Sequence, residues 1–370
     1  MWALRKLTRR RQPLLGGLAL LLLGVGLFST YSVVRYGFLA TPKFLADSFP
    51  SSRFLEKTLR GESKSIFSIA FSPDGTFVAS GGDRGRITIW DLATGRSIHI
   101  LEVASDQVDA VAFSPNGQVL ASHHRIGDIV NGRRFTQLWN LTTGKVISIL
   151  EQGNPPFGSQ SFAFSADSKQ FVGIDRSGKL TLIEVTTGAT IRTVKPDRAV
   201  YAISSNFDSK TLTYATFNTV RQLNFTTGKD IRLAKMQDLV LSSALSADGK
   251  WLALARSVDA EASNRGKFPQ AIELWDVSTQ TKGKKIRTLK GNDDWLDSLA
   301  FSPDGQTLAS ASADGMIKLW RVTIGEAMQP LQGHQSRMIS SLSVAFSPDG
   351  KLLASGSRVD GTIKLWRVPY

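Results

Sequence analysis

Two adjacent histidines, His123 and His124, are the residues whose type most directly suggests chemistry, because imidazole nitrogens are common metal ligands. The pair follows VLAS, a short run typical of a β-strand. Neighbouring side chains on a strand point to opposite faces of the sheet, so the two rings cannot easily bind one ion. We therefore interpret these histidines as structural rather than as a metal site.

Sequence motifs for catalysis are absent. The chain has no cysteine, no P-loop, no HExxH or GxSxG motif, and no GxGxxG placed between a strand and a helix. Thiol chemistry and disulfide bonds are thereby excluded. With 42% apolar and 9% aromatic residues, the 370-residue chain is not disordered. We expect a folded protein without catalytic residues, cofactor or metal, and hence not an enzyme.

One phrase recurs beyond residue 53. Clear copies start at Ile69, Val111, Leu299 and Val344, and weaker copies start at Phe162, Ala202 and Ser243. Seven equivalent positions, spaced 40 to 52 residues apart, mark the ends of the copies: Trp90, Trp139, Ile183, Leu223, Trp275, Trp320 and Trp366. Short strands and turns with this period are typical of β-propeller blades. The sequence therefore predicts an all-β chain with seven blades.

Each clear copy contains signals for four strands, a to d. The turn sequence SPDG, or SPNG in the second copy, separates strand a from strand b. Asp360-Gly361 is a hairpin signal between strands b and c of the last copy, and Thr-Thr-Gly turns at 142–144, 186–188 and 226–228 lead into strand d. The tryptophan that ends strand c offers a large apolar surface to the neighbouring sheet.

These phrases resemble the WD-repeat β-propeller family over about the whole of 54–370, in a spelling most like that of its bacterial members. FSPDG, LAS-x-S-x-DG and IKLW occur together and in the family's order. In that family a histidine before strand a, a Ser or Thr of strand b, an Asp of the b–c turn and the strand c Trp form a buried hydrogen-bonded set. The resemblance implies such a set in the last copy: His334, Ser355, Asp360 and Trp366.

The other copies depart from this pattern. Tryptophan is retained at the strand c position in four of them: Trp90, Trp139, Trp275 and Trp320. The sixth copy keeps Ser310 and Asp314 but has Asn292 at the histidine position, and the first has Arg84 where the family has Asp. The third and fourth copies lack even the tryptophan, which leaves their strand boundaries open.

The last copy stops after its strand c, so its sheet needs an outer strand from elsewhere. Residues 54–61, FLEKTLRG, match the strand d phrases at 286–291 and 327–333. We therefore expect the N-terminal strand to complete the C-terminal blade and close the ring, since closure removes an exposed sheet edge. The alternative is an extended apolar linker.

Two copies carry insertions between strands b and c. The second contains HHRIGDIVNGRRF (123–135), with Asn131-Gly132 as its hairpin tip, and the fifth contains RSVDAEASNRGKFPQ (256–270). The resemblance implies that both lie on the face most used for partners, and arginine and aromatic side chains are frequent at binding hot spots. The predicted partner-binding residues are Arg125, Arg133, Arg134, Phe135, Arg265, Phe268 and Trp295. The alternative is that the insertions are tolerated surface loops without a role.

A membrane segment precedes the repeats. Residues 14–34 contain no charge, and as a helix they would reach ~32 Å at ~1.5 Å per residue, enough for a hydrocarbon core of ~30 Å. The predicted organisation is a basic cytoplasmic head (1–13), a transmembrane signal-anchor helix (14–34), a linker (35–53) and the propeller (54–370). Five basic residues before the helix place the propeller on the non-cytoplasmic side. The alternatives are secretion after signal cleavage and an inverted, cytoplasmic propeller.

The net charge of +14 is unevenly divided. Residues 1–46 hold seven Lys or Arg and no acid, which leaves 38 bases against 31 acids in the rest of the chain. This balance gives little support to nucleic-acid binding. Residues 123–135 carry three arginines against Asp128, which favours an acidic partner surface or an anionic lipid headgroup.

The sequence thus predicts a membrane-anchored, non-enzymatic scaffold that binds a protein or peptide. A closed ring with varied loops and no cofactor motif is suited to holding partners. The alternative is an exported propeller that acts as a small-ligand receptor or enzyme through its central channel, because the fold alone does not determine function.

Overall fold

The computed structural model describes residues 53–127, 132–152, 162–175, 177–207, 210–216, 219–235, 240–257, 270–278, 283–292, 294–334 and 342–369. In these ranges, 28 strands form seven antiparallel sheets of four strands each. In most pairs of neighbouring sheets the two inner strands contact each other, and β26 of the last sheet contacts β2 of the first. The described part of the chain therefore forms a closed seven-bladed propeller, as its repeats predict.

The strands of blades one to four are β2 (Ile66–Phe71), β3 (Phe77–Gly82), β4 (Arg86–Asp91), β5 (Ser97–Glu102); β6 (Gln107–Phe113), β7 (Val119–Ile126), β8 (Arg133–Asn140), β9 (Lys145–Gln152); β10 (Phe162–Phe164), β11 (Gln170–Ile174), β12 (Leu180–Glu184), β13 (Thr190–Val194); β14 (Val200–Phe207), β15 (Thr211–Thr216), β16 (Thr219–Asn224), β17 (Asp230–Lys235).

The strands of blades five to seven are β18 (Val240–Leu245), β19 (Trp251–Ser257), β20 (Gln270–Asp276), β21 (Lys284–Asn292); β22 (Leu296–Phe301), β23 (Thr307–Ser312), β24 (Met316–Arg321), β25 (Leu331–Gln332); β26 (Leu342–Phe346), β27 (Leu352–Ser357), β28 (Thr362–Arg367), with β1 (Leu55–Arg60) as the outer strand of blade seven. Within each blade the four strands are strand a to strand d, from the inside outward.

The a–b turns owe their shape to the repeated SPDG phrase. In blade one, Ser72 Oγ donates to Asp74 Oδ1 over 2.5 Å and accepts a hydrogen bond from Phe77 N over 2.9 Å. Gly75 closes the turn at φ 72°, a left-handed conformation that glycine adopts without strain. Blade three has Ser168 at this place with φ 61°. The weaker copy therefore keeps the turn at the cost of a strained non-glycine residue.

The N-terminal strand closes the ring. β1 pairs antiparallel with β28, with Leu59 opposite Ile363 and Leu55 opposite Trp366. Leu59 is 2% exposed and belongs to a core cluster shared by blades seven and one. Glu56 also forms an ion pair with Arg367. The predicted closure is therefore present, and it covers the edge that the last repeat leaves open.

Apolar side chains between neighbouring sheets form the core. Four strand c tryptophans are buried in these interfaces: Trp90, Trp139, Trp320 and Trp366. Blades three and four lack the tryptophan, yet their sheets are complete because other large side chains fill the space, among them Phe171, Leu223 and Tyr214. Loss of the family residue thus does not open this side of the ring.

The predicted head, transmembrane helix and linker start lie in 1–52, outside the described residues. Among the residues that the structure does describe, no helix has the length and apolar character to cross a bilayer.

Candidate interaction face

Strands b and d end, and strands a and c begin, at one end of every sheet. We call this end the insertion face; it carries the d–a connections, such as 103–106, and the b–c connections, such as 83–85. In blade two the two kinds of loop are tied together: Asp106 N donates to the Arg125 carbonyl over 2.9 Å, and Gly127 N donates to Asp106 Oδ2 over 2.6 Å.

Blade two extends this face with a long hairpin. β7 and β8 each have eight residues, whereas the corresponding strands of blades one, six and seven each have six. Their pairing continues through Arg125 opposite Arg134 to Ile126 opposite Arg133. We call residues 123–127 and 132–136 the blade-two ribbon. The predicted tip at Asn131-Gly132 lies partly outside the described residues.

The ribbon separates the predicted contact residues into exposed and buried ones. Arg133 is exposed and pairs with Glu151 over 3.2 Å. Phe135 is half-buried and stacks on His124, with ring centroids 5.0 Å apart and planes at 13°. Arg125 and Arg134 are each only 8% exposed, which differs from the expectation that the whole set would project from the blade. The two arginines lie opposite each other on β7 and β8, and their side chains are buried against the protein.

Arg125 anchors the ribbon to the inner strand of its own blade. Its Nε lies 3.4 Å from Asp109 Oδ2, and both side chains are largely buried. Burial raises the pKa of Asp109, while a hydrogen bond from Gln107 and the charges of Arg125, Arg134 and Arg358 act in the opposite direction. The base of the ribbon is thus held by an ion pair shielded from solvent.

The adjacent histidines contact hydroxyl groups of neighbouring strands and loops. His123 Nδ1 lies 3.2 Å from Thr136 Oγ1, whereas His124 contacts Ser122 and Ser105. Burial, together with the charges of Arg134 and Arg125, lowers the pKa of His123 to about 3. Burial and the neighbouring His123 lower the pKa of His124 to about 3. Both rings are therefore neutral at physiological pH.

Blade seven contains the four-residue set that the family resemblance implies. His334 Nε2 lies 2.7 Å from Ser355 Oγ, which accepts a hydrogen bond from Trp366 Nε1 over 2.8 Å. Asp360 Oδ2 lies 3.1 Å from His334 Nδ1, and Thr362 donates to the same carboxylate. Burial acts to raise the pKa of Asp360, but the hydrogen bonds from His334 and Thr362 hold it well below its usual value.

Blade two contains a second version of this set, which the sequence analysis missed. Trp139 Nε1 donates to Ser122 Oγ over 2.7 Å, and Ser122 Oγ lies 2.7 Å from His124 Nε2. His124 Nδ1 lies 3.1 Å from Ser105 Oγ on the d–a connection. The histidine here comes from strand b rather than from the loop before strand a. A Ser-x-His spacing at the end of strand b was the available signal.

The remaining tryptophans keep part of the pattern. Trp90 and Trp320 each donate to a strand b serine over 2.9 Å, Ser80 and Ser310 respectively. In blade one, Asp83 accepts a hydrogen bond from Lys64 N, while Arg84 takes a left-handed φ of 59° in the tight turn.

Blade five replaces the serine with a buried carboxylate. Trp275 Nε1 donates to Glu273 Oε2 over 3.2 Å. Glu273 Oε1 also accepts hydrogen bonds from Arg256 over 2.8 Å and Lys285 over 2.6 Å. Glu273 is 4% exposed, so this charge is kept in the core by two cations.

Charged residues from distant parts of the chain meet where the channel opens on the insertion face. Asp109 is the third residue of strand a in blade two, Asp297 is the second residue of strand a in blade six, and each lies at a β-bulge. The charge of Arg358 acts to lower the pKa of both carboxyl groups. The pKa of Asp297 is raised to about 7, chiefly by burial and also by the nearby Asp294 and Asp314, while a hydrogen bond from Leu342 N and the charge of Arg358 act in the opposite direction. The guanidinium of Arg358 also lies 5.3 Å from the centre of the Phe67 ring. We call Phe67, Asp109, Asp297 and Arg358 the channel mouth.

The other predicted contact residues are placed as follows. Trp295 precedes strand a of blade six and is 42% exposed. Its carbonyl accepts a hydrogen bond from Ala313 N over 2.8 Å, which ties it to the b–c turn of the same blade. Arg265 and Phe268 lie outside the described residues. The described residues include no group of three or more His, Cys, Asp or Glu positioned to hold a metal ion.

Three stretches of the chain are similar to a known family. Residues 54–91, 283–321 and 325–367 match the family model described as WD domain, G-beta repeat. These stretches lie within the seven four-stranded sheets of the propeller.

Individual relatives are similar over longer stretches. The chain is 24% identical over 280 residues to a guanine nucleotide-binding protein subunit beta of Oryza sativa subsp. indica, which covers 74% of this chain and 60% of that protein. It is 23% identical over 371 residues to the ribosome biogenesis protein erb1 of Neurospora crassa, covering 86% of this chain and 46% of that protein. Similarity to the small ribosomal subunit protein RACK1z of Arabidopsis thaliana is 34% over 99 residues, which is 26% of this chain and 27% of that protein.

The chain thus spans less than two thirds of the length of these relatives. They come from plants and a fungus, so the bacterial-type spelling of the repeats stays a prediction.

Proposed function

We propose that this propeller is a non-enzymatic scaffold whose insertion face binds a protein or peptide partner. The observation that carries the proposal is the blade-two ribbon, which extends beyond the ordinary length of a blade hairpin. Arg133 and Phe135 lie on its accessible part, while Arg125 and Asp109 fix its base. A surface that is rigid before binding loses less conformational entropy when a partner docks.

The charges of the ribbon favour an acidic partner. Arg133 and Glu151 form an exposed ion pair, with 74% and 54% of their side chains accessible. Exposed pairs of this kind contribute about 0–1 kcal/mol, so a carboxylate of the partner can replace Glu151 with little loss. Trp295 adds an accessible aromatic side chain to the same face.

The relatives support a role within an assembly. The plant proteins are named as a subunit of a guanine nucleotide-binding protein and as a small ribosomal subunit protein. Both names describe proteins that act with others, which is the behaviour proposed for this chain.

The test is quantitative capture with two matched double variants of the full chain, tagged at the C-terminus and purified from a detergent extract. Arg133→Ala with Trp295→Ala removes one cation and one large apolar side chain from the insertion face. Lys229→Ala with Ile324→Ala removes the same two types from the opposite end of the sheets, where both side chains are exposed. We expect the first variant to capture at least tenfold less partner than the unsubstituted protein, and the second variant to capture the same amount.

Equal capture by both double variants would contradict the use of this face. Each variant is to be compared by its melting temperature, because substitutions of exposed residues usually change stability by no more than about 0.5 kcal/mol. A changed melting temperature in the first variant alone would instead show that Arg133 or Trp295 has a structural role.

The channel offers the second candidate function. Asp109 and Asp297 place carboxyl groups at its mouth, as a small-ligand receptor or enzyme would require. One cavity among the described inner strands, lined in part by Phe67, Asp109 and Asp297, is about 110 Å³, whereas ligand pockets usually measure about 300–1,000 Å³. The small volume of this one cavity gives a receptor or enzyme less support than the scaffold has.

We also propose that residues 14–34 anchor the propeller to a membrane, with the N-terminus in the cytoplasm. The support is the uncharged length of the segment and the five basic residues before it. A C-terminal tag should then be accessible to protease only from the non-cytoplasmic side. Access from the cytoplasmic side would reverse the orientation, and a mature N-terminus near Thr41 would establish cleavage and secretion.

A further inference from the structure

A recurring contact ties neighbouring blades together at the end opposite the insertion face. A cation on strand d of one blade donates hydrogen bonds to backbone carbonyls in the c–d turn of the next blade. Among the described residues there are three such ties: Lys57 to Leu92 and Ala93, Arg192 to Phe225 and Thr226, and Arg287 to Thr323 and Ile324. The turn of the next blade therefore works as a receptor for an ammonium or guanidinium group.

The tie is missing between blades one and two. His99 stands two residues before Leu101, as Lys57 does before Leu59 and Arg287 before Leu289. It is exposed, and within the described part of the chain no hydrogen bond joins it to the turn at 141–144. Likewise, no described donor reaches the carbonyls of Leu141 and Thr142. The imidazole side chain is too short to replace the longer lysine and arginine side chains.

The turn glycines show the space that results. A Cβ built at Gly95 would meet Lys57 at 3.3 Å, and one at Gly325 would meet Arg287 at 2.6 Å. A Cβ at Gly144, the equivalent glycine of blade two, meets nothing within 4 Å. Blade two thus has the c–d turn whose carbonyls could accept a cation, but the space beside Gly144 is open.

This space is a groove of about 750 Å³, within the usual range for ligand sites. Its lining includes several apolar side chains: Phe77, Ile89, Ile98, Leu101, Phe113 and Leu141. Asp74 supplies the single carboxylate of the described lining, which contains no lysine or arginine. We call it the blade one–two groove.

We propose that the blade one–two groove binds an arginine side chain of a protein partner, flanked by apolar residues. The guanidinium would donate to the carbonyls of Leu141 and Thr142, as Arg192 does to the equivalent turn of blade four. The apolar lining would contact the flanking side chains, and the Asp74 carboxylate complements the positive charge. The groove lies at the opposite end of the sheets from the insertion face, so this site is independent of the function proposed above.

The probe is a fluorescein-labelled peptide with the sequence of residues 286–290, Ile-Arg-Thr-Leu-Lys, which supplies the tie in blade five. The control peptide carries citrulline in place of arginine, which keeps the shape and removes the charge. Binding to the full chain is measured by fluorescence polarisation. We expect the citrulline peptide to bind at least tenfold more weakly than the arginine peptide.

Two substitutions at one exposed position provide the matched pair. His99→Arg should supply the missing cation within the chain, fill the groove and weaken binding of the arginine peptide at least tenfold. His99→Ala should leave the groove open and change the affinity less than threefold. The proposal is overturned if the two variants bind the peptide alike, or if arginine and citrulline peptides bind the unsubstituted protein with equal affinity. The citrulline comparison needs no variant, so it stays decisive even if a substitution disturbs folding.

Discussion

Replacing Leu59 by alanine tests the closure of the ring at a single side chain. Leu59 lies on β1, is 2% exposed, and contacts a cluster that includes Trp90, Ile363 and Leu365. If residues 55–60 were only a linker, this substitution would change the free energy of unfolding by no more than about 0.5 kcal/mol, as is usual for surface positions.

The structure predicts a much larger loss. Removing a fully buried leucine side chain typically costs about 2–5 kcal/mol, because the transfer free energy is lost and a cavity remains. For a domain of this size each kcal/mol lowers the melting temperature by about 2 °C. We therefore expect Leu59→Ala to melt roughly 4–10 °C below the unsubstituted protein.

Thermal unfolding of the full chain in detergent, followed by tryptophan fluorescence, measures this shift. Trp90 shares the cluster with Leu59 and reports on the same interface. Thr58→Ala is the matched control, since Thr58 is the exposed neighbour on the same strand. Equal melting temperatures for the two variants would refute the closure as a source of stability.

Four further substitutions test buried polar groups by the same thermal unfolding. Glu273→Ala should cost about 3–5 kcal/mol, because it removes the buried carboxylate that Arg256 contacts, and a shift under 1 °C would contradict that role. His124→Ala and His334→Ala should each cost about 1–3 kcal/mol, because a buried serine loses its histidine partner and keeps only the bond from the tryptophan; a loss confined to His334→Ala would refute the second set in blade two. Asp297→Asn should gain stability relative to the unsubstituted protein as pH rises from 4 to 8, because the folded pKa of about 7 exceeds 3.8, so ionisation destabilises the fold across that interval. A difference in melting temperature that does not change with pH would contradict this.

The number of blades and the way the ring closes could be predicted because both depend on local signals. Each a–b turn is built by consecutive residues, as the bonds of Ser72 with Asp74 and Phe77 illustrate. The match of residues 54–61 to the strand d phrases likewise predicted the pairing of β1 with β28. Turn chemistry and strand alternation act over a few residues, so they are readable without knowing the fold.

The blade-two ribbon shows what could not be predicted from the sequence. The insertion and its hairpin were evident in the sequence, but the burial of Arg125 and Arg134 was not. Whether an arginine on a long strand faces solvent or the protein depends on what the neighbouring strands place beside it, here Asp109 on β6. The replacement of the loop histidine by His124 was hidden for the same reason.

By itself, the sequence determined the repeat, the turns, the strand order within each blade and the strand that completes the last one. Only the tertiary structure decided the channel mouth, where Asp109, Asp297 and Arg358 come from three blades, and the groove beside His99, where a histidine stands in place of the cation found at three other blade junctions. The physical reason is the separation in sequence between the residues that interact. Backbone hydrogen bonds and φ preferences are set by adjacent residues, whereas these sites arise from strands far apart in sequence that ring closure brings around one axis.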